Sequence, residues 1–442
     1  MSGIGGADEQ ERRAASALLA VIQSVREFGR SITVPMSAPA GRLSAFIEVP
    51  FTDGDKHLRP DGLIQVALGR RTWTALVEVK TGRHDLIPGQ IESYLDLVRK
   101  YKFDALLTVS HQLTATPGVH PCQARLLKGR FAAARLYHLS WSQIRTQALL
   151  QHADKGVSDP DQAWILAEFI RYLEHPRSGA LDFEDMGPAW VHVRDRARTA
   201  TLHVQDKGAA EVTDRFGWLA SFAAIHLSRE LGTKVRQMVP PSQLRDPAKH
   251  LQEAVAELAN SGRLAASLRV PATVAPITIT ADLRAGLIHC AVTVPAPREG
   301  RPTTRVNWLL RQLKNAPSQL CIEGTYAWQR GRGPARSLAE ARGNPRALLD
   351  DSGHELRAFT LTLSSNAGTA RSLGHGSFIN SVLAAVDKFY TEVVQHLKPW
   401  APAPPKVRDE VTASPDESGS SLEVGQTQPA EEGHIDHYAA VS

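Results

Sequence analysis

RPDGLIQVALGRRTWTALVEVKTG, residues 59–82, alternates apolar and polar residues on both sides of Gly69-Arg70. Two such arms around a Gly-X pair predict a hairpin whose two-residue turn takes glycine at its first central position, the geometry that matches the twist of paired strands. Leu68 then faces Arg71, and counting outward sets Val66 against Trp73, Leu63 against Leu76 and Asp61 against Glu78. Directly opposed side chains share a face with Cβ atoms about 5 Å apart, so two carboxylates meet and repel unless something positive lies between them. Lys80, two residues beyond Glu78, points to the same face about 7 Å farther along. The hairpin therefore predicts an acid, a second acid and a base in one place.

Two carboxylates of this kind hold Mg²⁺ or Mn²⁺ through oxygen, and such an ion polarises a phosphoryl oxygen and acidifies a bound water. A lysine beside them orients that water or steadies the developing negative charge. The chemistry that calls for this trio is hydrolysis of a phosphodiester. On a half-exposed strand the same residues would be a turn aspartate and a solvated Glu/Lys pair, and the flanking sequence decides between the two.

Upstream, Ala15, Leu18, Leu19, Ile22, Val25 and Phe28 recur at helical spacing within a helix predicted over residues 9–30. Strands follow at 43–51, 60–68 and 72–81, then a helix at 88–101 with proline in its first turn, then the strand DALLTVS at 104–110. On that helix Gln90 and Tyr94 lie four apart and share a face. Pro60-Asp61, sixteen residues, then Glu78-Val79-Lys80 resembles the signature of the PD-(D/E)XK nuclease superfamily, and Gln90-x-x-x-Tyr94 resembles the Q-x-x-x-Y element of its RecB-like branches. The resemblance covers residues 8–140. It implies an α/β, restriction-endonuclease-like αβββαβ mixed-sheet core. Asp61 and Glu78 would be metal ligands with the Val79 carbonyl as a third, Lys80 the catalytic lysine, and Gln90 and Tyr94 supporting residues. Many members add an acid from the first helix, for which Glu11 and Glu27 are the candidates, and Glu48 on the following strand is another.

The chain is 442 residues with a net charge of +5, and residues 401–442 carry eight acids against two bases, so the basic excess lies in the rest. A basic body suits a polyanion partner, and the partner expected is nucleic acid, with DNA first. The three cysteines, Cys122, Cys290 and Cys321, are too few and too far apart for a cysteine zinc site and fit a reducing, cytoplasmic setting. Neither a signal nor a membrane segment is expected. No P-loop, G-x-G-x-x-G after a strand or G-x-S-x-G is present, which argues against an ATP motor, a dinucleotide enzyme and a serine hydrolase.

Glycine, proline and acids over 175–188 mark a boundary. The expected organisation is a nuclease-like domain over 1–178, with a helix around Gln123 and helices at 142–152 and 162–175. An α+β domain follows over 185–399, for substrate or partner recognition, and then a disordered acidic tail over 400–442. In the second domain ITITADL and LIHCAVTV pair as a hairpin, and a last helix runs over 377–397. RVNWLLRQLK (305–314) and YAWQRGRGPAR (326–336) bring basic residues beside aromatics, so Arg305, Arg311, Lys314, Arg330 and Arg332 are candidates for nucleic-acid binding. The function expected is a metal-dependent nuclease. Its alternative is a nuclease-fold binding or stress-response module that does not cleave and acts through its C-terminal domain.

Overall fold

The structure is a computed structural model that describes residues 6–53, 56–114, 120–122, 135–328, 333–350 and 353–402. The helix expected around Gln123, Arg330, Arg332 and the tail beyond residue 402 lie outside the described residues. Of these, the residues up to Ala401 form one compact unit.

The chain opens with α1 (Ala7–Ser24) and α2 (Arg26–Thr33), where one helix was expected over 9–30. Val25 between them is extended (φ −102°, ψ 98°) and fully buried, and the turn brings Gly29 so close to the preceding helix that a Cβ there would lie 2.2 Å from the Ile22 carbonyl oxygen. Apolar spacing continues across the break, which is why it leaves no trace in the sequence pattern. Next come β1 (Arg42–Ile47), a small hairpin of β2 (Phe51–Asp53) and β3 (Lys56–Leu58), then β4 (Gly62–Leu68) and β5 (Arg71–Val79). The β2–β3 hairpin was not foreseen; the 43–51 stretch was expected as one strand. Helix α3 (Pro88–Lys100) leads into β6 (Ala105–Ser110), and β7 (Leu136–Ser140) completes a five-stranded mixed sheet of order β1-β4-β5-β6-β7. The first three strands are antiparallel, and β5, β6 and β7 are parallel.

The β4–β5 register is the one counted from the turn: Leu68 faces Arg71, Val66 faces Trp73 and Leu63 faces Leu76. Gly69 takes φ +59° at the turn, while Arg70 keeps negative φ, the arrangement that a glycine-first turn requires. The alternation sorts two cores. Ile64, Ala75, Val77, Val79, Leu107 and Val109 point to one face, under α1, α2, α4 (Trp141–Leu150) and α5 (Pro160–Glu174), while Leu63, Leu76 and Leu106 point to the other, under Ile91, Tyr94, Leu95 and Val98 of α3.

From residue 190 onward a second architecture appears. Helices α6 (Trp190–Arg198) and α7 (Ala209–Leu231) precede β8 (Arg236–Met238), α8 (Pro247–Ser261), β9 (Arg263–Arg269), β10 (Ile277–Asp282) and β11 (Leu287–Pro295). Then follow α9 (Pro302–Gln312), β12 (Cys321–Tyr326), β13 (Ala335–Ser337), α10 (Leu338–Gly343), β14 (Leu356–Asn366) and α11 (Phe378–Glu392). The strands form a seven-stranded antiparallel sheet, β13-β12-β14-β11-β10-β9-β8, in which β10 and β11 pair as the alternation suggested. Ile279, Cys290, Val292, Phe359 and Leu361 bury one face against the helices. The other face is polar, with Thr293 and Thr360 hydroxyls 3.1 Å apart across strands. The last helix ends at Glu392 rather than 397: Val393 leaves helical geometry, a short 3-10 turn follows, and Pro399 lies just ahead. Arg229 on α7 joins the two sheets' helices by donating to the Thr146 hydroxyl at 2.7 Å and the Ser142 carbonyl at 3.1 Å.

One buried polar chain ties β6 to β7. The Gln112 carbonyl can only accept, so His138 Nε2 donates to it at 2.8 Å and His138 Nδ1 accepts from the Thr108 hydroxyl at 2.9 Å. The Cys122 N–H can only donate, so it fills His120 Nδ1 at 3.0 Å and His120 Nε2 donates to Thr108 at 2.7 Å. Both rings are neutral in this chain. Burial pushes His120 down to about 3 and His138 down to about 4, from an ordinary imidazole value of 6.5. The unfolded chain takes up these protons first, so their contribution is complete above pH 6.5 and is lost as pH falls from there toward 4, at up to about 1.4 kcal/mol per pH unit for each ring. Thermal melts between pH 7 and pH 5 check this: the melting temperature of the wild type should fall more steeply than that of His138→Asn, and equal slopes would mean that the ring is already charged in the fold.

Candidate metal centre

Asp61 stands immediately before β4, Glu78 is the penultimate residue of β5, and Lys80 follows its end. Asp61 is held twice. Its carbonyl accepts from the Glu48 N–H at 2.9 Å, and its Oδ2 accepts from the Val79 N–H at 2.7 Å, so the side chain prolongs the β4–β5 ladder by one rung. Lys80 is held by its backbone as well, its N–H donating to Val109 at 2.7 Å and its carbonyl accepting from the Trp141 indole at 2.8 Å. Trp141, the first residue of α4, is a supporting residue that sequence reasoning missed; its only signal was an indole directly after a strand.

Of the three candidates for an added acid, Glu11 on α1 reaches the site. Lys80 Nζ lies 2.6 Å from Glu11 Oε1 and 2.7 Å from Glu78 Oε1. Glu27 accepts instead from the Ser158 hydroxyl at 3.0 Å. Glu48 pairs with Arg59 at 2.6 Å and Arg12 at 3.3 Å. Glu11, Asp61 and Glu78 each offer a carboxylate oxygen within 4.8 Å of the others, the one such group of three among the described residues.

The electrostatics follow from burial. Glu78 is 1% exposed, and burial first, then the charge of Asp61, pushes its carboxyl up to about 8. Burial also raises Asp61, to about 6, against the Val79 N–H and the Lys80 charge, which pull it down. Burial alone would lower Lys80, but the charges and hydrogen bonds of Glu78 and Glu11 outweigh it and hold the ammonium above the ordinary lysine range. Tyr94, 3% exposed, accepts from Gln90 Nε2 at 3.1 Å and donates to the Arg59 carbonyl at 3.4 Å. Burial, and then the Glu78 charge, raise its phenol above the ordinary range. Gln90 and Tyr94 thus brace the Arg59-Pro60-Asp61 approach to the site rather than adding charge to it.

No family model, curated protein or solved structure matches this chain. The site therefore rests on its own geometry. Three carboxylates around one ammonium leave an excess of two negative charges when all are ionised, and an excess of that size in a cluster of oxygen donors fits a divalent hard cation. Asp61, Glu78 and Glu11 would hold it, with the Val79 carbonyl at the same strand end.

The remaining sequence candidates lie elsewhere. Arg305 is taken up by the carbonyls of Leu356, Arg298 and Gly300 at 3.1, 2.9 and 3.2 Å and by Glu355 at 3.7 Å. Arg311 and Lys314 line a surface depression with Trp308.

If unrelieved repulsion is the dominant feature of the metal-free centre, Asp61→Asn should stabilise it, because asparagine keeps an oxygen for the Val79 N–H while removing one charge. Melts at pH 8 in EDTA should place the variant above wild type by about 1 kcal/mol. Mn²⁺ at a hundredfold excess over its dissociation constant should then raise wild type by about 2.7 kcal/mol and the variant far less. A wild type indifferent to Mg²⁺ and Mn²⁺ alike would remove the metal from the centre.

Proposed function

We propose that this chain is a metal-dependent nuclease with a restriction-endonuclease-like core, hydrolysing phosphodiester bonds of nucleic acid, with DNA as the first substrate to test. The observation that carries the reading is the convergence of Glu11, Asp61 and Glu78 within 4.8 Å around the Lys80 ammonium. Composition alone does not bring a helix acid, a loop acid, a strand acid and a lysine together. The order of α1, the three antiparallel strands β1, β4 and β5, α3 and the parallel β6 supports the same fold reading.

A bound Mg²⁺ or Mn²⁺ supplies Lewis acidity toward a phosphoryl oxygen and a water of lowered pKa. The chain supplies the rest. Glu78, fixed in a rigid central strand, and Asp61, locked to it through the Val79 N–H, set the spacing of the oxygen donors. Glu11 enters from α1, which packs on the opposite face of the sheet, so it ties helix position to site geometry. Lys80 remains an ammonium because two carboxylates face it. It therefore acts as a donor to the developing charge on phosphate rather than as a general base.

The test is cleavage of linear, circular and single-stranded DNA and of RNA by wild type, Lys80→Ala and Glu11→Gln with Mg²⁺, Mn²⁺ or EDTA. Wild type should cut with either metal and not in EDTA, Lys80→Ala should lose at least about a hundredfold in rate, and Glu11→Gln should lose activity that higher metal concentration partly restores. Well-folded wild type that cuts none of the four substrates would refute the nuclease and leave a binding module.

A further inference from the structure

Beside the second sheet lies a group of charges that no described residue neutralises. At the C-terminal end of α9, Trp308, Arg311, Gln312, Lys314 and Asn315 meet His396 and Lys398, at and just after the 3-10 turn that follows α11, around an open depression of about 480 Å³. Among the described residues, no carboxylate lines it. Arg311, Lys314 and Lys398 are exposed. None of the three makes an ion pair among the described residues. The ordinary use for basic residues at a helix C-terminus, binding its last carbonyls, is already filled, because Arg342 from α10 donates to the Leu313 and Lys314 carbonyls at 2.7 and 2.8 Å.

Two further features shape the depression. Gln312 Oε1 accepts from the Lys398 N–H at 2.6 Å, which fixes the amide to the segment after the final 3-10 turn, while its buried Nε2 has no partner among the described residues. A polar donor buried without a partner costs free energy. Trp308 is half-buried, its inner part packed on the core and its outer part lining the depression.

We infer that this depression binds single-stranded nucleic acid, with backbone phosphates on Arg311, Lys314 and Lys398 and an unpaired base against Trp308. Cations neutralise phosphates, an indole face stacks bases, and a base can stack there only when it is free of its partner strand. The three cations come from two separate segments, so they form a surface only in the fold. For its use the inference rests on the nuclease reading, since it gives that enzyme's substrate a second contact; its test does not.

Full-length wild type and the Arg311→Ala/Lys314→Ala/Lys398→Ala variant are titrated in EDTA with a fluorescein-labelled 16-mer of thymidylate and with a 16-bp duplex, by anisotropy, from 50 to 200 mM salt. Wild type should prefer the single strand. The triple variant should lose at least tenfold in affinity for it, and the slope of log K against log salt should fall by about 2, from three phosphates at about 0.7 each. Trp308→Leu, checked for folding by its melt, should weaken the single strand and spare the duplex. Wild type that binds the single strand here yet cuts none of the four substrates would refute the nuclease reading and keep this site. A triple variant equal to wild type overturns the inference. So does equal loss of single strand and duplex in Trp308→Leu, which marks a general polyanion patch. Binding that emerges only after the eight acids of residues 401–442 are replaced by amides overturns it as well, because the occupant is then the chain's own tail.

Discussion

A carboxylate 1% exposed at the end of a central strand is the constraint around which the first sheet is arranged. Glu78 cannot stay ionised there without compensation, and Lys80 is the compensation that period two allows, two residues on and on the same face. Asp61 and Glu11 then crowd the same space, so the pair that would have been neutral becomes an excess of negative charge. A core designed only for stability would not keep it: replacing such a cluster with apolar residues removes both repulsion and desolvation. The supports around it are correspondingly dense. The Val79 N–H, the Glu48 N–H, the Trp141 indole and the Tyr94–Gln90 pair each fix one approach to the site.

Register was the most legible feature, because a two-residue turn admits one pairing and a slip of one residue would turn every side chain to the wrong face. Counting from Gly69 was enough to set Leu63 against Leu76, one step inside Asp61 and Glu78. The helical acid was not legible. Periodicity tells which face of α1 is apolar, but Glu11 contacts Lys80 because of how far the helix reaches along the sheet, and that depends on the packing of Ala14, Ala15, Leu18 and Ile22 against strands distant in sequence. Spacing therefore left Glu11, Glu27 and Glu48 equivalent. Glu48 shows the converse: a strand glutamate of ordinary appearance stands at φ +49°, donates its N–H to Asp61, and uses its side chain on two arginines.

The same limit governs the basic segment of the second sheet. Arg305 and Arg311 lie six residues apart on one helix and look alike in sequence, yet one closes a web of three carbonyls and the other faces solvent. What separates them is the course of other strands, since Leu356 opens β14 and Arg298 follows β11. Lys398 and Gln312 meet over a sequence separation of 86 residues and could not be joined by any local pattern. The break at Val25, the β2–β3 hairpin and the early end of α11 belong to this class too, for each reflects tertiary packing or chain geometry that leaves the hydrophobic pattern unchanged.

The molecule thus keeps uncompensated charge in two settings, and the settings impose different physics. The acidic centre is buried, where screening by salt is weak and only an ion in direct contact can offset the excess; its occupancy should follow metal concentration and be nearly indifferent to added salt at neutral pH. The basic depression is open, where each phosphate bound releases counterions and affinity falls steeply as salt rises. An enzyme built from both would have salt control its grip on a polyanion while leaving the assembly of its metal centre intact. In the proposed nuclease the two effects would separate experimentally: raising salt would weaken substrate binding with little change in rate at saturation, whereas removing metal would abolish the rate with little change in the binding proposed for Arg311, Lys314 and Lys398.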